Sequence, residues 1–312
     1  MSGQQQHPGS VTPGGGPDLQ ESGRRATEEL LKLLELDDFD GIRTDEDIFV
    51  GRVHDQPRSR VFGGQVLAQS LMAAGRTVDA ERSVHSMHGY FLRAGDSHEP
   101  ITFGVQRLRD GRSFSARRVH AYQGGVPILS MIASFQTPDD GVDHHEPAPT
   151  GLPDPESLPT TAELLGGIDH PVARYWAYER AFDIRHIDRP LYLTEDPQVS
   201  STNAVWMKTF DRLPADPALH RAALAYASDY TLLEPILRRH SLAWTRPGMS
   251  VASLDHAMWW HRPVRADEWL LYVQDSPSAQ NSRGLAQGRI YSRDGVLVAS
   301  VAQEGMVRIP EL

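Results

Sequence analysis

Residues 63–136 contain a pattern from which the fold can be inferred: one helical segment followed by a run of strand segments. The helical segment reads GGQVLAQSLMAAG (63–75), with apolar residues at helical spacing and a glycine where the helix should stop. The strand segments are rich in β-branched and aromatic residues and read SVHSMHGYFL (83–92), ITFGVQRLR (101–109), SFSARRVHAY (113–122) and VPILSMIASFQ (126–136). Asp110-Gly111 and Gly124-Gly125 are turn signals between the last three. This order predicts an α+β unit in which an antiparallel sheet covers one helix.

The same order of segments occurs again in the C-terminal half of the chain. A helical region over 218–239, interrupted near Ser228-Asp229 and at Pro235, precedes a second run of strands. The expected strands of this run span 249–260, 268–275, 284–292 and 296–307, and three further strands are expected at 48–53, 181–193 and 200–210. The two halves therefore indicate an internal duplication. When the halves are overlaid, His88 matches His256, which suggests a structural role for both.

Composition divides the chain into four parts. Residues 1–25 are polar and rich in Gly, Pro and Gln, which predicts a disordered leader, and a short amphipathic helix is expected over 26–36. Residues 137–159 are crowded with Pro, Asp, Gly and His, as is typical of a linker. We therefore predict a first unit at 26–136, a linker at 137–180 and a second unit at 181–312.

Charge and composition exclude several classes of protein. The net charge of −10 argues against nucleic-acid binding, because phosphate recognition normally needs a basic surplus. The chain has no cysteine, so disulfides, thiolate nucleophiles and cysteine metal sites are excluded. We find neither a signal-peptide core nor an apolar run of the roughly 18 residues that a membrane span needs. These features predict a cytoplasmic protein with no integral membrane segment.

Short motifs in both halves resemble type II acyl-CoA thioesterases, in the same order over roughly Leu30 to Arg308. In the first half they read RVFGGQV (60–66), YFLRAGD (90–96) and RDGRSFSARRV (109–119). In the second half they read YASD (226–229), LDHAMWWH (254–261), DGVLVAS (294–300) and QEG (303–305). The resemblance implies an α+β double hotdog fold: two antiparallel sheets, each wrapped around a central helix and joined as one continuous sheet. It also implies hydrolysis of fatty acyl-CoA to free fatty acid and CoA, and a homo-oligomer (dimer or tetramer).

By position, the resemblance places a water-activating triad on Asp229, Ser253 and Gln303, in the second unit. Thioester hydrolysis needs a water that is held and deprotonated and an oxyanion that is stabilised, so no cofactor or metal is implied. The first unit resembles a pseudo-site, with Gly63 and Gly64 in the region where Asp229 begins its helix. We expect the free N–H groups of that helix start to bind the oxyanion and to keep the proton affinity of Asp229 modest.

The residues by themselves leave other roles open. Asp229 could cap a helix, Ser253 could bond to backbone within its strand, and Gln303 could lie at the surface. Asp255 and His256 are adjacent on a strand and point to opposite faces, so they do not form a catalytic dyad. Asp255, two residues after Ser253, could support that serine.

Two further segments have a functional and a structural interpretation. One side chain of Arg117-Arg118 could meet the phosphates of CoA, and the alternative is a solvated arginine. Met258-Trp259-Trp260 could line an acyl pocket, and the alternative is a place in the core. Neither choice is settled by the sequence.

Other functions fit the sequence less well. A non-catalytic acyl-CoA-binding protein of the same fold remains the alternative, and the presence of all three triad residues favours an enzyme. A hotdog hydratase would need a His a few residues after Asp229, where none occurs. The chain has neither a Gly-x-Ser-x-Gly elbow nor a His-Glu-x-x-His metal motif, and Gly63-Gly64 is too short to indicate a phosphate loop.

Overall fold

The computed structural model describes residues 17–39, 45–54 and 59–309; residues 1–16 of the predicted leader lie outside these ranges. The first helix begins before the expected Ala26, because the Asp18 side chain caps it by accepting a 2.9 Å hydrogen bond from the Gln20 N–H. The first unit contains α1 (Leu19–Leu34), β1 (Leu36–Asp38), β2 (Asp47–Gly51), α2 (Gly63–Gly75), β3 (Ser83–Phe91), β4 (Ile101–Asp110), β5 (Phe114–Gln123) and β6 (Val126–Gln136).

The linker region is more ordered than its composition predicts. It contains a 3₁₀ turn (Pro155–Ser157) and two helices, α3 (Thr161–Leu165) and α4 (Pro171–Tyr178). A capping box between Thr160 and Glu163 starts α3, and a proline in its first turn starts α4. The second unit contains β7 (Phe182–His186), β8 (Thr202–Thr209), α5 (Pro217–Ser228), α6 (Glu234–Arg239), β9 (Ser250–Ser253), β10 (Asp255–Trp260), β11 (Leu270–Gln280), β12 (Arg283–Ser292) and β13 (Leu297–Arg308).

The strands of both units form one antiparallel sheet. Over the described residues its order is β1-β2-β4-β5-β6-β3-β10-β13-β12-β11-β8-β7, with β9 paired separately to β13. The units meet where β3 pairs with β10, and Met87 lies opposite Met258 there, both fully buried. The order of strands on either side of this seam is the same, as a duplication requires. The predicted continuous sheet is therefore confirmed.

Helices α2 and α5 pack against each other and share the main apolar core with the sheet. Most residues of both helices are buried, because α2 packs on the sheet and α5 packs on α2. Within the described ranges, no helix combines the length and the apolar composition that a membrane span requires. The packing of the two helices brings the start of α2 next to the end of α5, and the candidate site lies where they meet.

The linker first covers the outer face of the second unit. Trp206 and Trp269 belong to a separate apolar cluster on that face, where residues 148–158 pack on them. The Trp206 indole N–H donates to the Pro153 carbonyl at 3.0 Å, and the Trp269 indole N–H donates to the Glu156 carboxylate at 2.9 Å. Helix α4 then reaches the opposite side of the sheet, where its residues line a cavity.

Candidate active site

Asp229 lies at the end of a helix and not at the start of one. It directly follows Ser228, the last residue of α5, and a turn separates it from α6. The expectation that Asp229 begins a helix is therefore wrong, because Asp216 and Pro217 start that helix one dozen residues earlier. The free N–H groups near Asp229 come instead from α2 of the first unit: Gly64 N–H donates to Asp229 Oδ2 at 2.9 Å.

The glycines at the start of α2 allow this close approach of the two helices. A Cβ atom at Gly64 would lie 2.2 Å from the Tyr226 carbonyl oxygen, and one at Gly63 would lie 2.7 Å from Asp229 Oδ2. Gly63 and Gly64 therefore belong to the candidate site of the second unit, and the interpretation of the first unit as a pseudo-site remains a prediction.

In the first unit Arg76 directly follows α2, as Asp229 directly follows α5 in the second. Its guanidinium donates to the Leu36 carbonyl at 2.6 Å and to Asp38 Oδ2 at 2.8 Å, and it lies over the Phe49 ring. Where the second unit has a carboxylate facing a helix N-terminus, the first unit has a cation that holds β1 and β2. The described contacts thus place the carboxylate in the second unit only.

The three predicted triad residues lie within hydrogen-bonding distance of one another. Asp229 Oδ1 accepts from Ser253 Oγ at 3.2 Å and from Gln303 Nε2 at 3.1 Å. Gln303 Nε2 also donates to Ser253 Oγ at 2.8 Å. Ser253 ends β9 and Gln303 lies on β13, so the strand pairing of β9 with β13 sets their separation.

Burial raises the pKa of Asp229 to about 6. The hydrogen bonds from Gln303, Ser253 and Gly64 act in the opposite direction, because they stabilise the charged form, but they do not outweigh the loss of solvent. The expected modest proton affinity is therefore wrong. A carboxyl with this pKa is charged at neutral pH and is suited to accept a proton from water.

His256 lies behind Gln303, away from the cavity. It is fully buried, its Nδ1 atom contacts Gln303 Oε1, and its Nε2 atom lies 3.0 Å from Ser228 Oγ. His88 is exposed and packs edge-on against Trp259. The two side chains lie on opposite faces of the sheet, so His88 and His256 do not occupy matching places, and a structural role for both remains a prediction.

The remaining candidates have structural contacts. Asp255 Oδ1 accepts from the Glu304 N–H at 2.7 Å and makes no hydrogen bond to Ser253. Arg117 is buried and donates to Thr77 and Asp110, so it is not free to meet a phosphate. Met258 and Trp260 lie in the core. In the described part of the chain, no group of three or more His, Cys, Asp or Glu residues could hold a metal ion.

A cavity of about 500 Å³ opens beside Asp229 and Ser253. It is mainly apolar and aromatic, and three parts of the chain contribute to it. The first unit supplies Ser59–Gly63, Phe91 and Ala94; the linker supplies Val172, Tyr175, Trp176 and Arg180; and the second unit supplies Asp229, Tyr230, Leu233, Trp244 and Val251–Ser253. The contribution of α4 was not predicted, because linker composition carries no signal for a short helix that packs on a pocket.

Comparison with known proteins agrees with this architecture. The family described as acyl-CoA thioesterase matches residues 181–306, and the acyl-CoA thioesterase N-terminal domain matches residues 53–136. Acyl-CoA thioesterase 2 of Haemophilus influenzae is 37% identical over 287 residues, which are 90% of this chain and 96% of that protein. Acyl-coenzyme A thioesterase 8 of Homo sapiens is 38% identical over 276 residues, 85% of this chain and 86% of that protein.

A crystal structure of acyl-CoA thioesterase II TesB2 from Mycobacterium marinum superposes with a TM-score of 0.73 at 43% identity, covering 91% of this chain and 98% of that one. The fold and the family matches define a hotdog-fold thioester hydrolase. The chain belongs to the acyl-CoA thioesterase family. The predicted family, fold and enzyme class are thus confirmed, and the triad remains a prediction that the hydrogen-bond geometry supports.

Proposed function

We propose that this enzyme hydrolyses fatty acyl-CoA by direct attack of a water activated by the triad Asp229, Ser253 and Gln303, in which Gln303 orients the other two side chains. The observation that carries the proposal is the hydrogen-bonded group itself: Asp229, directly after α5, Ser253 on β9 and Gln303 on β13 bond to one another, and Asp229 and Ser253 line the mainly apolar cavity. Hydrogen bonds to Asp229 Oδ1 fix the carboxylate, and among the residues that the structure describes only the Gly64 N–H donates to Oδ2. A second lone pair of Oδ2 is then available to a water.

The chemistry follows from these contacts. Asp229 takes a proton from the water as its oxygen attacks the thioester carbon, and Ser253 Oγ helps to orient the water. The tetrahedral intermediate collapses with cleavage of the C–S bond. The departing CoA sulfur receives the proton from Asp229, so the carboxylate is restored and the products are a carboxylic acid and CoA. The reaction needs no covalent bond to the protein.

The N-terminus of α2 can stabilise the negative charge that develops on the thioester oxygen. The Gly64 N–H is used by Asp229, and the neighbouring Gly63 N–H is the first amide of the same helix, so no earlier carbonyl of the helix can accept from it. We assign the oxyanion to this amide. A developing negative charge there also gains from the dipole of α2.

The cavity favours an apolar acyl group. Phe62 stacks on Tyr230 with ring centroids 4.8 Å apart, and Tyr226 packs on the edge of both. Trp176 and Trp244 extend the apolar wall. Because each methylene removed from water contributes about 0.8 kcal/mol, such a wall binds an alkyl chain better than a small polar acyl group.

Release of CoA from a panel of saturated acyl-CoAs, followed with a thiol reagent, tests the proposal. The protein contains no cysteine that would react with this reagent. Native protein should release CoA and the Asp229→Asn variant should not, while Asp255→Asn, which changes a neighbouring carboxylate outside the triad, should stay active. Binding of acyl-CoA without release by the native protein would instead support a non-catalytic acyl-CoA-binding protein, and equal rates for Asp229→Asn and native protein would refute the triad.

The predicted homo-oligomer and cytoplasmic location remain proposals. Light scattering during gel filtration tests the first, and a mass near the 34.7 kDa of one chain would contradict it.

A further inference from the structure

We propose that His256, supported by Ser228, is a positioning residue that fixes the orientation of the Gln303 amide and thereby keeps its N–H donors on Asp229 and Ser253. This inference rests on the proposed function. It concerns a residue that does not border the cavity and that the predicted triad does not include.

The Gln303 amide has two chemically opposite ends of nearly equal size. In the observed orientation Nε2 faces Asp229 and Ser253, and Oε1 faces His256. A half-turn of the amide would place Oε1 against the Asp229 carboxylate, where two acceptors repel. Gln303 is only 1% exposed, so solvent has little influence on the choice. Its protein neighbours must therefore select the orientation.

His256 can select the orientation of the Gln303 amide because its ring is neutral and carries a single N–H. Burial lowers the pKa of His256 to about 4, and the hydrogen bond with Gln303 acts in the opposite direction without outweighing it. The ring is therefore neutral at neutral pH and carries one N–H. Since the amide oxygen can only accept, that N–H must be at Nδ1.

Ser228 accommodates the same tautomer from the other side of the ring. With the proton at Nδ1, Nε2 can only accept, so the Ser228 hydroxyl at 3.0 Å must be the donor. Ser228 Oγ also lies 2.9 Å from the Ala225 carbonyl oxygen, which is its partner if the ring adopts the other tautomer. A hydroxyl has one proton, so its direction and the tautomer of His256 change together.

The other groups near Asp229 do not duplicate this role. Gly64 N–H, Ser253 and Gln303 bond to the carboxylate directly, and among the described residues Tyr272 from β11 is a titratable group that interacts with its charge. Burial and the charge of Asp229 raise the pKa of Tyr272 well above its ordinary value, so it stays neutral. Tyr272 Oη donates to the Ser228 carbonyl at 3.1 Å and does not contact Gln303.

Two substitutions of His256 separate positioning from packing. His256→Leu keeps an apolar volume and removes the donor, whereas His256→Asn keeps an N–H near the position of Nδ1. In His256→Leu we expect kcat to fall by about tenfold or more with little change in KM, since a buried acceptor loses its partner. We also expect the acidic limb of the kcat/KM profile to move up by about one pH unit, because an inverted Gln303 disfavours charged Asp229.

His256→Asn should recover both most of kcat and the native position of the acidic limb. His88→Leu, a change of the exposed histidine on the neighbouring strand, should leave kcat and the profile at native values. Native kinetics in His256→Leu would overturn the inference. Equal losses in His256→Leu and His256→Asn, with the acidic limb unmoved, would also overturn it and leave a packing role.

A measurement on the native protein covers the case in which His256→Leu does not fold. The ¹⁵N spectrum of histidine-labelled protein, with His256→Asn used for assignment, should show His256 as the neutral Nδ1–H tautomer between pH 5 and 8. A proton at Nε2, or titration in this range, would overturn the inference. Asp229→Asn measured in parallel distinguishes the two failures: activity in that variant refutes the triad, whereas a silent His256→Leu beside an inactive Asp229→Asn refutes only the positioning role.

Discussion

The carboxylate of Asp229, at the end of α5 in the second unit, accepts a hydrogen bond of 2.9 Å from the backbone N–H of Gly64, in the first turn of α2 in the first unit. The proposed active site is therefore shared between the two units. The second unit supplies the side chains that act on water, and the first unit supplies the helix N-terminus that faces them.

The pH dependence of the reaction should follow the titration of Asp229. Since burial raises the pKa of this carboxyl to about 6, kcat/KM should increase with pH up to about 6 and then reach a plateau. Initial rates with one acyl-CoA over pH 4.5 to 8.5 measure this directly. Activity that is already maximal at pH 4.5 would contradict a base with a raised pKa.

The same pKa shift predicts how stability depends on pH. The native state binds the Asp229 proton more tightly than the unfolded chain, whose aspartates have a pKa of about 4. This contribution to stability is fully present below about pH 4 and is lost as pH rises through about 6. The free energy of unfolding of Asp229→Asn, minus that of the native protein, should therefore increase by about 1–2 kcal/mol between pH 4 and pH 7.

Urea unfolding at a series of fixed pH values measures this difference. The absolute stability of the variant is not the test, because an Asn amide could also lose its bond with Gly64. A difference that stays constant between pH 4 and pH 7 would show that the native carboxyl titrates as it does in the unfolded chain.

The glycines of α2 should separate catalysis from stability. Gly64→Ala places a Cβ 2.2 Å from a backbone carbonyl, which cannot move without shifting α5, so we expect a loss of several degrees in Tm. Gly63→Ala presses on Asp229 Oδ2 and on the Phe91 ring at 3.0 Å, so activity should fall more than stability. Gly75→Ala is the matched control, because its Cβ would meet nothing within 4 Å.

In the control, a helix-favouring alanine should leave activity unchanged and Tm equal or slightly higher. The Tm of thermal unfolding and the rate of CoA release, measured on the three variants, test these expectations. If Gly63→Ala kept native activity, the start of α2 would not be part of the reacting site.

The linker helix should influence the choice of acyl chain. Trp176 lines the cavity, so Trp176→Ala should enlarge it. The ratio of kcat/KM for long over short acyl-CoAs should then rise severalfold, because each methylene newly accommodated in the cavity contributes about 0.8 kcal/mol of binding free energy. Arg174→Ala, a change on the exposed side of α4, is the control. The same ratio in Trp176→Ala and native protein would indicate that the acyl chain lies elsewhere.

Sequence periodicity was sufficient to predict most of the sheet. Strands such as β6, expected and observed at Val126–Gln136, alternate buried and exposed side chains, and glycine turns mark their ends. The predicted strand over 249–260 is divided into β9 and β10 at Leu254, where the register with β13 shifts by one residue between Ser253↔Gly305 and Ala257↔Ala302. Such a shift depends on the partner strand and is not encoded by local sequence.

The site was predicted by family position more than by local pattern. Nothing around Asp229 indicates that its carboxylate meets Gly64, 165 positions earlier, because that contact depends on the packing of α2 against α5. His256 carried a usable signal: it shares strand parity with the buried Met258 and Trp260, which places an imidazole inside the core. Helices α3 and α4 are too short for periodicity and depend on caps and tertiary contacts.

The position of the candidate site between the two units, with Asp229 in the second and Gly63 and Gly64 in the first, has a consequence for how mutations affect the enzyme. With the acid in one unit and its facing amides in the other, inactivating changes should map to both halves of the gene and still affect a single centre. Two defective chains, one altered near Gly63 and the other near Asp229, could not restore activity by sharing an intact unit, because each copy lacks one side of the same centre. After the duplication the two units therefore have different roles in one proposed site, and neither can replace the other.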